Sequence, residues 1–342
     1  MPHPRAAVVG YGFAGRCFHS YLISLTPGLE LAGIVSRDPD TRARIVAERG
    51  CRAYDSFEQV LADPAVDLIV LATPNHTHAN LAIAALDAGK NVVSDKVMCL
   101  TLADCDRMIA AARRNDRLLS VFQNRRFDGD FQTVRAAMHD GTLGTVRYVE
   151  MAWQGMGAWG GWRGQAAMGG GRFYDLGAHL VDQMALLFPG GAETVYCRMH
   201  HDYEGTDVES EALIVATFPG GCTGVCDLSG MSAIGKPRFR LHGDKATLVK
   251  YGLDPQEAAM IAGDIDAARE SSEFFASVSD GKTETRLPTR PGRWRSFYED
   301  IADALAGRAE LAVTPESVRF GIEILDAARR SAAGGEVIRL RG

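Results

Sequence analysis

Three titratable side chains recur at helical spacing between positions 175 and 182. Asp175 and His179 lie four residues apart, which places them on one face if the segment is helical, and Asp182 continues that face. An apolar stripe runs beside them: Leu176, Leu180, Met184 and Leu187. Such a stripe is expected to pack the helix against a core. The pattern fits either a half-buried structural Asp–His pair or a cleft in which His179 exchanges protons near neutral pH.

A glycine-rich turn near the N-terminus has the spacing of a dinucleotide-binding loop. Gly10, Gly12 and Gly15 form G-x-G-x-x-G, with Phe13 and Ala14 inside it, directly after an apolar stretch and before a helix-like one. The first glycine permits a tight turn, the second lets the backbone approach a pyrophosphate, and the third allows close packing of helix on strand. The helix N-terminus then presents free N–H groups to the phosphates. The alternative is a glycine turn without a ligand.

The residues after the second strand-like stretch discriminate between NAD and NADP. NAD-binding loops usually carry Asp or Glu there, which bonds the ribose 2′-hydroxyl. This chain has Ser36 and Arg37, and a hydroxyl beside a guanidinium suits a 2′-phosphate. The pair favours NADP, while Asp38, one residue later, keeps NAD as an alternative. A second interpretation is that Arg37 is only a solvated charge.

The elements that position these residues alternate over the first third of the chain. Apolar strand-like stretches lie at 6–9, 29–35, 66–72, 91–94 and 118–122. Helix-like stretches lie between them at 14–25, 39–49, 56–62, 76–88 and 102–115. This alternation predicts βαβ units around a parallel sheet, and the nearly continuous apolar strands predict helices on both of its faces.

The pattern changes after residue 122. A helix is predicted at 130–138, followed by strand-like stretches at 145–153, 194–200, 209–217, 222–228, 238–242 and 245–251. Turn signals between consecutive stretches indicate a large, mostly antiparallel open sheet. Two helices close the chain, one at 296–306 and one beginning at Thr314, Pro315 and Glu316.

The predicted fold class is therefore α/β with two domains. We expect a dinucleotide-binding domain over residues 1–122 with a Rossmann-type parallel sheet. Residues 123–342 are expected to form a second domain for substrate binding and oligomerisation, with the closing helices free to pack back on the first.

Composition excludes several function classes. The net charge of −6 argues against nucleic-acid binding, which needs a basic face. No run of 18 apolar residues indicates a membrane span, and residues 1–10 lack a signal-peptide pattern, so a cytoplasmic location is expected. The seven cysteines include no C-x-x-C pair and are interpreted as reduced thiols. No metal is expected: no His or second Cys pair completes a site at Cys222 and Cys226, and His76 and His78 are interpreted as loop residues that contact a cofactor ribose and cap the helix.

Three further motifs make the chain resemble the Gfo/Idh/MocA oxidoreductase family over nearly its whole length. The first is Thr73-Pro74-Asn75-His76-Thr77-His78, and the second is Ser94-Asp95-Lys96-Val97, in the place of the family's Glu-Lys-Pro. The third is Gly169-Gly170-Gly171 followed by Asp175, Gly177 and His179. Within the family, residues 118–130, 173–183 and 237–254 look most like NADP-dependent scyllo-inositol 2-dehydrogenases and their uncharacterised relatives.

The resemblance implies a Rossmann domain, an open antiparallel sheet whose outer face mediates homo-oligomers (a homodimer or homotetramer), and no metal. It implies that Lys96, Asp175 and His179 are catalytic. Besides the glycine turn, Ser36 and Arg37, the resemblance implies six further cofactor-binding residues. They are Thr73, Pro74, Asn75, His78, Asp95 and Lys96. Two residues depart from the family pattern: Asp95 shortens a side chain expected to reach the nicotinamide ribose, and Val97 replaces a proline, so a cis peptide bond is not expected there.

Substrate contacts are expected from residues near the catalytic set: Asn124, Arg126, Trp162, Arg163 and Tyr174. The segment 153–171 holds eight glycines and three of the four tryptophans. It is expected either to close over a sugar or cyclitol ring or to pack its tryptophans inward. Of the neighbouring Arg125 and Arg126, one is expected to line the cleft and the other to be solvated.

Together these features predict an oxidoreductase, with NADP favoured, that interconverts a secondary alcohol and a ketone on a polyol, cyclitol or sugar. His179 would accept the hydroxyl proton, Lys96 would stabilise the developing alkoxide, and Asp175 would bind a neighbouring hydroxyl or orient the imidazole. Whether Lys96 or His179 takes the proton first stays open. The alternatives are a nicotinamide-dependent glycosidase and a non-catalytic NADP-responsive binding protein, which has no need of all three residues.

Overall fold

A computed structural model describes residues 3–340 of the 342-residue chain. Its contacts group into two units. The first consists of the described part of Met1–Gln123 together with Trp294–Arg319, and the second of Asn124–Arg293 together with residues 320–340. Residues 1, 2, 341 and 342, which fall in the predicted domain ranges 1–122 and 123–342, lie outside the described residues.

The first unit contains a six-stranded parallel sheet in the order β3-β2-β1-β4-β5-β6. Its strands are β1 (Arg5–Val9), β2 (Glu30–Val35), β3 (Arg52–Tyr54), β4 (Leu68–Leu71), β5 (Asn91–Ser94) and β6 (Leu119–Val121). The apolar strand centres are fully buried, as expected for a sheet covered on both faces. The strand order reverses between β1 and β4, and ligands of such sheets bind at that switch point. The predicted parallel sheet is confirmed, although the three-residue β3 was too short and too polar to be predicted.

Helices connect these strands, and three of them begin at side-chain caps. The first connection winds with a wide turn over Ala14–His19 and continues as α1 (Ser20–Ser24). The others are α2 (Pro39–Arg49), α3 (Phe57–Ala62), α4 (His78–Asp87) and α5 (Leu102–Asn115). Side-chain oxygens of Asp38, Ser56 and Thr101 accept from backbone N–H groups in the first turns of α2, α3 and α5.

The second unit is built on a nine-stranded sheet in the order β14-β13-β12-β11-β7-β10-β9-β8-β15. The strands are β7 (Val146–Gln154), β8 (Thr194–His200), β9 (Glu211–Phe218), β10 (Cys222–Ser229), β11 (Phe239–Gly243), β12 (Thr247–Lys250), β13 (Ala276–Ser279), β14 (Glu284–Leu287) and β15 (Ile338–Arg339). Every pairing is antiparallel except that of β7 with β10. The predicted mostly antiparallel sheet is confirmed. The strands β13, β14 and β15, at the two ends of the sheet, were not predicted because they are short.

The helices of the second unit are α6 (Gly129–His139), α7 (Arg172–Asp175), α8 (Gly177–Leu187) and α9 (Gln256–Ile261). Helix α8 packs closely on the sheet. A Cβ added at Gly224 of β10 would lie 2.5 Å from the sulfur of Met184, so the Met184 side chain packs directly over this glycine. Of the predicted apolar stripe, Leu180 and Met184 are buried in this contact. The sheet thus supports the helix that carries His179.

Two helices follow the second sheet: α10 (Arg295–Leu305), which belongs to the first unit, and α11 (Pro315–Gly334). Helix α10 is held by an aromatic cluster in which the rings of Phe297 and Tyr298 lie 5.0 and 5.9 Å from that of Phe122. Thr314 Oγ1 accepts from the N–H of Ser317 at the start of α11, in agreement with its predicted role as a cap. Over residues 3–340, no helix has the length and apolar character needed to span a membrane.

Candidate active site

The glycine turn after β1 leaves room for a pyrophosphate. A Cβ at Gly10 would lie 2.4 Å from the carbonyl oxygen of Ala72, and a Cβ at Gly15 would lie 2.0 Å from that of Gly10. A Cβ at Gly12 would meet no atom within 4 Å. The outer two glycines are therefore required by backbone contacts, whereas Gly12 faces open space. This arrangement fits the phosphates of a dinucleotide at the start of the helix.

The corner after β2 presents basic rather than acidic side chains. Asp38 turns its carboxylate to the N–H of Thr41, 2.8 Å away, and so caps α2. That hydrogen bond lowers the pKa of Asp38. Arg37 is exposed, and Arg42, which the sequence reasoning missed, donates to the carbonyls of Ser36 and Arg37 at 2.9 and 2.8 Å. A basic residue one helical turn into α2 was the available signal for Arg42.

Two neighbouring loops carry the next set of predicted cofactor residues. In the first, Thr73 and Thr77 join their hydroxyls at 2.6 Å, and Asn75 is buried in a short turn after Pro74. His78 is fully buried, and its Nδ1 and Nε2 lie 2.8 and 2.9 Å from the carbonyl oxygens of Val97 and Thr73. Burial lowers the pKa of His78, so the ring is neutral and donates to one carbonyl at a time. The imidazole therefore joins the loop of Thr73 to the loop of Lys96.

The peptide bond between Lys96 and Val97 is cis. The expectation of a trans bond, based on valine in the place of the family's proline, is wrong. Local sequence does not decide this bond, because Val97 is enclosed by the fold: its side chain is fully buried and its carbonyl is held by His78. Just before it, Asp95 Oδ1 accepts from the N–H of Lys96 at 2.7 Å.

Asp175 and His179 lie on two consecutive short helices rather than on one continuous helix. Helix α7 ends at Asp175, and α8 begins at Gly177, with the N–H of His179 bonded to the carbonyl of Leu176. The spacing argument made from the sequence therefore crosses a break. His179 is buried with its ring 6.1 Å from that of Trp153, in a stacked arrangement.

The triple glycine before α7 is required by its surroundings. A Cβ at Gly170 would lie 2.5 Å from the carbonyl oxygen of Arg163. Gly171 has φ +92°, and a Cβ there would lie 2.4 Å from Glu209 Oε1. That same oxygen accepts from the N–H of Phe173 at 2.6 Å, so Glu209 caps α7 from a distant part of the chain. Burial raises the pKa of Glu209.

Arg163 and Asp175, predicted to bind substrate and to act in catalysis, lie together. Arg163 Nε is 3.3 Å from Asp175 Oδ2, and its guanidinium covers the ring of Trp162 at 4.5 Å. Tyr174, also predicted to bind substrate, precedes Asp175 and is half-buried.

The tryptophan-rich segment 153–171 is held by hydrogen bonds from residues 203–207. Tyr203, Thr206 and Asp207 bond its backbone at Gly157, Gly164 and Ala166. The guanidinium of Arg172 covers Trp159 at 4.7 Å. Both features accord with the tryptophans packing inward.

The arginines at the start of the second unit are both buried. Arg126 forms a bidentate pair with Asp182, at 2.8 Å from Nε to Oδ2 and 2.6 Å from Nη2 to Oδ1. Arg125 pairs with Asp128 and Glu257. The expectation that one of the two is solvated is wrong, because each arginine pairs with a buried carboxylate: Asp128 for Arg125, and Asp182 for Arg126. Asn124, predicted to bind substrate, is buried beside them.

Two arginines contact the ring of Trp153, which lies next to His179. The guanidinium carbons of Arg125 and Arg238 lie 4.5 and 5.0 Å from the centroid of its ring. Arg238 Nη2 also donates to Gln183 on α8 at 3.0 Å. Burial lowers the pKa of Arg238 to about 10, an effect that the nearby Asp130 opposes, and the group stays charged at neutral pH. The sequence carried no signal linking these positions, since they lie on separate elements.

Comparison with known proteins assigns the chain to a family. Residues 4–123 match the oxidoreductase family with an NAD-binding Rossmann fold, and residues 131–249 match the Gfo/Idh/MocA C-terminal domain. An uncharacterised oxidoreductase of Escherichia coli, YdgJ, is 34% identical, with 96% of each chain covered. The NADP(+) scyllo-inositol 2-dehydrogenase IolW of Bacillus subtilis is 28% identical, covering 98% of this chain and 96% of its own. A crystal structure of an oxidoreductase from Klebsiella pneumoniae superposes with a TM-score of 0.88 at 34% identity, covering 98% and 95%.

The chain therefore belongs to the Gfo/Idh/MocA family of oxidoreductases. It is an enzyme with an NAD(P)-binding Rossmann domain and a C-terminal domain of the same family.

The turn at Gly171 provides a direct test of how the site is built. Gly171→Ala forces a methyl group onto Glu209 at a backbone conformation that only glycine adopts easily, and should cost about 1–3 kcal/mol of unfolding free energy. We expect a lower melting temperature for this variant. Gly160→Ala is the matched control, because Gly160 has an extended backbone with φ −120° and no atom within 4 Å of an added Cβ. Equal melting temperatures for the two variants would contradict this account of the turn.

Proposed function

We propose that the enzyme oxidises a secondary alcohol of a polyol, cyclitol or sugar, or reduces the corresponding ketone, with NADP as the preferred cofactor. The proposal rests on one observation: a lysine, an aspartate and a histidine of the required types are each held by buried contacts. Lys96 lies on the loop fastened by His78. Asp175 ends helix α7, whose start Glu209 caps, and His179 lies in the first turn of α8. The similarity to IolW along the whole chain supports a cyclitol or a related polyol as substrate.

The chemistry divides between cofactor and protein. A bound nicotinamide supplies the hydride chemistry. His179 accepts the hydroxyl proton, and Lys96 donates a hydrogen bond to the same oxygen and stabilises its negative charge. Asp175, with its charge shared by Arg163, accepts a hydrogen bond from a neighbouring substrate hydroxyl. The half-buried rings near Arg163 offer apolar faces to the C–H side of a ring substrate.

The preference for NADP rests on the corner after β2. The Asp38 carboxylate is engaged by the first turn of α2, so it does not take the place of the acidic residue that bonds a ribose 2′-hydroxyl. Arg37 and the half-buried Arg42 then offer two guanidiniums, next to the hydroxyl of Ser36, to a 2′-phosphate.

Absorbance at 340 nm tests the reaction class. Purified enzyme is mixed with NADP+ or NAD+ and a panel of inositols, aldoses and sugar acids. Reduced cofactor formed with one polyol supports the proposal and identifies the substrate. Dinucleotide binding without net reduction by any member of the panel would contradict the dehydrogenase assignment and favour a glycosidase or a binding protein.

Lys96→Ala and His179→Ala should each lower kcat by roughly two orders of magnitude or more, because each removes a group that acts on the reacting oxygen. Steady-state kinetics at 340 nm measure the loss. His200→Ala, at the exposed end of β8, removes an imidazole outside the site and serves as the control. Near-native turnover in both site variants would refute the assigned roles.

Arg37→Ala should weaken NADP+ binding about tenfold or more while leaving the dissociation constant of NAD+ nearly unchanged, because it removes a charged contact to the 2′-phosphate only. Arg42→Ala should act in the same direction. Titration of each variant with both dinucleotides, followed by fluorescence, gives the two constants. Arg44→Ala, a half-exposed arginine on the same helix, is the control. Unchanged NADP+ affinity in Arg37→Ala would remove the basis for the cofactor assignment.

A further inference from the structure

A line of buried polar side chains ends at the proposed catalytic lysine. Tyr298 of α10 places its hydroxyl 2.7 Å from Nδ1 of His19, at the end of the first helical turn. Nε2 of the same imidazole lies 3.5 Å from Oδ2 of Asp95. Asp95 Oδ1 in turn accepts from the N–H of Lys96. Both Tyr298 and His19 are fully buried.

The hydroxyl of Tyr298 favours one tautomer of His19. Burial, with the charge of Asp95 as a second cause, raises the pKa of Tyr298 well above its ordinary value, so the phenol stays protonated. Its hydroxyl is therefore available to donate to Nδ1. The ring proton of His19 then lies on Nε2 and faces the carboxylate of Asp95.

The carboxylate itself is charged despite its burial. Burial alone raises the pKa of Asp95, but the neighbouring imidazole of His19 outweighs it, assisted by Lys96 and His78, and the pKa is lowered. The groups that face Asp95 are thus His19 from the first helix, His78 from α4, Tyr298 from α10 and Lys96 from its own loop.

We propose that His19 and Tyr298 are positioning residues that hold Lys96 in place through Asp95. The inference rests on the proposed catalytic role of Lys96. Buried histidines then bracket the lysine: His19 acts through Asp95 on its N-terminal side, and His78 holds the carbonyl of Val97 on its C-terminal side. Asp95, one carbon shorter than the family's glutamate, is held by the interior of the domain at Oδ2.

Removing the hydroxyl of Tyr298 tests the positioning role with the smallest change to the packing. Tyr298→Phe keeps the ring that packs on Phe122 and removes only the contact with His19. Because a catalytic group displaced by about 1 Å loses up to a hundredfold in rate, we expect kcat to fall about tenfold or more. Tyr54→Phe is the matched control: Tyr54 is also a buried tyrosine, on β3 of the same unit, and the substitution removes a hydroxyl bonded to Asp63. Its kcat should stay within about twofold of the wild type, although its melting temperature falls comparably.

The pH profile separates positioning from general destabilisation. In His19→Leu the burial of Asp95 persists while its main compensating partner is lost, so the pKa of the carboxyl rises. The carboxylate is then neutralised at a higher pH, and the acidic limb of the kcat profile should move to higher pH than in the wild type. His19→Gln keeps an N–H donor directed at Asp95 and should recover part of the loss in kcat.

The outcomes distinguish this inference from the proposed function. If Lys96→Ala abolishes turnover while Tyr298→Phe behaves as Tyr54→Phe does, and His19→Leu keeps the wild-type pH profile, the positioning line is overturned and the function stands. If Lys96→Ala turns over normally, the proposed function fails and the inference with it. If Lys96→Ala loses turnover and kcat also falls in Tyr298→Phe and His19→Leu but not in Tyr54→Phe, with partial recovery in His19→Gln, the inference is supported.

Discussion

The nucleotide-binding unit depends on a contact that no side chain larger than hydrogen permits. The helix after β1 begins so close to the preceding turn that a Cβ at Gly15 would lie 2.0 Å from the carbonyl oxygen of Gly10. The same turn packs against Ala72, the residue that follows β4, because a Cβ at Gly10 would lie 2.4 Å from its carbonyl oxygen. Because the helix start, the β1 turn and the β4 loop are fixed against one another, the space before Gly12 and the position of Thr73 follow from one packing arrangement.

The second unit reaches the same rigidity through buried charge. Arg126 and Asp182 tie α8 to the turn at the start of the unit, and Arg125 is neutralised by Asp128 and Glu257. Removing one partner of such a pair leaves an uncompensated buried ion, which lowers the free energy of unfolding by about 3–5 kcal/mol. These pairs therefore serve the geometry of the helix that carries His179, and Trp153 couples the arginine cluster to the imidazole by ring contacts.

The corner after β2 and the loop of Lys96 share one feature. In both, the charged residues that look available in the sequence are partly occupied by the backbone: Asp38 caps a helix, and Asp95 binds the N–H of Lys96. What remains for a ligand is the basic side of the corner, at Arg37 and Arg42. Hydrogen bonds to backbone N–H groups thus decide which carboxylates a ligand can use.

Much of the fold could be predicted because its signals are local. Apolar strands alternating with amphipathic helices indicated the parallel sheet, and the glycine spacing indicated the dinucleotide turn. β3 and β13–β15 escaped prediction because strands of two to four residues carry too little periodicity. For the site, the resemblance to a known family pointed to Lys96, Asp175 and His179, but not to the groups that hold them.

By itself, the sequence determined the fold class, the family and the identity of the residues with suitable chemistry, since these depend on residue type and short-range spacing. Only the tertiary structure decided that Asp182 and Arg126 neutralise each other, that Glu209 caps the helix of Asp175, and that His19 reaches Asp95. The physical reason is that each of these contacts joins residues more than 30 positions apart, and burial, which strengthens such contacts, exists only once the chain has folded.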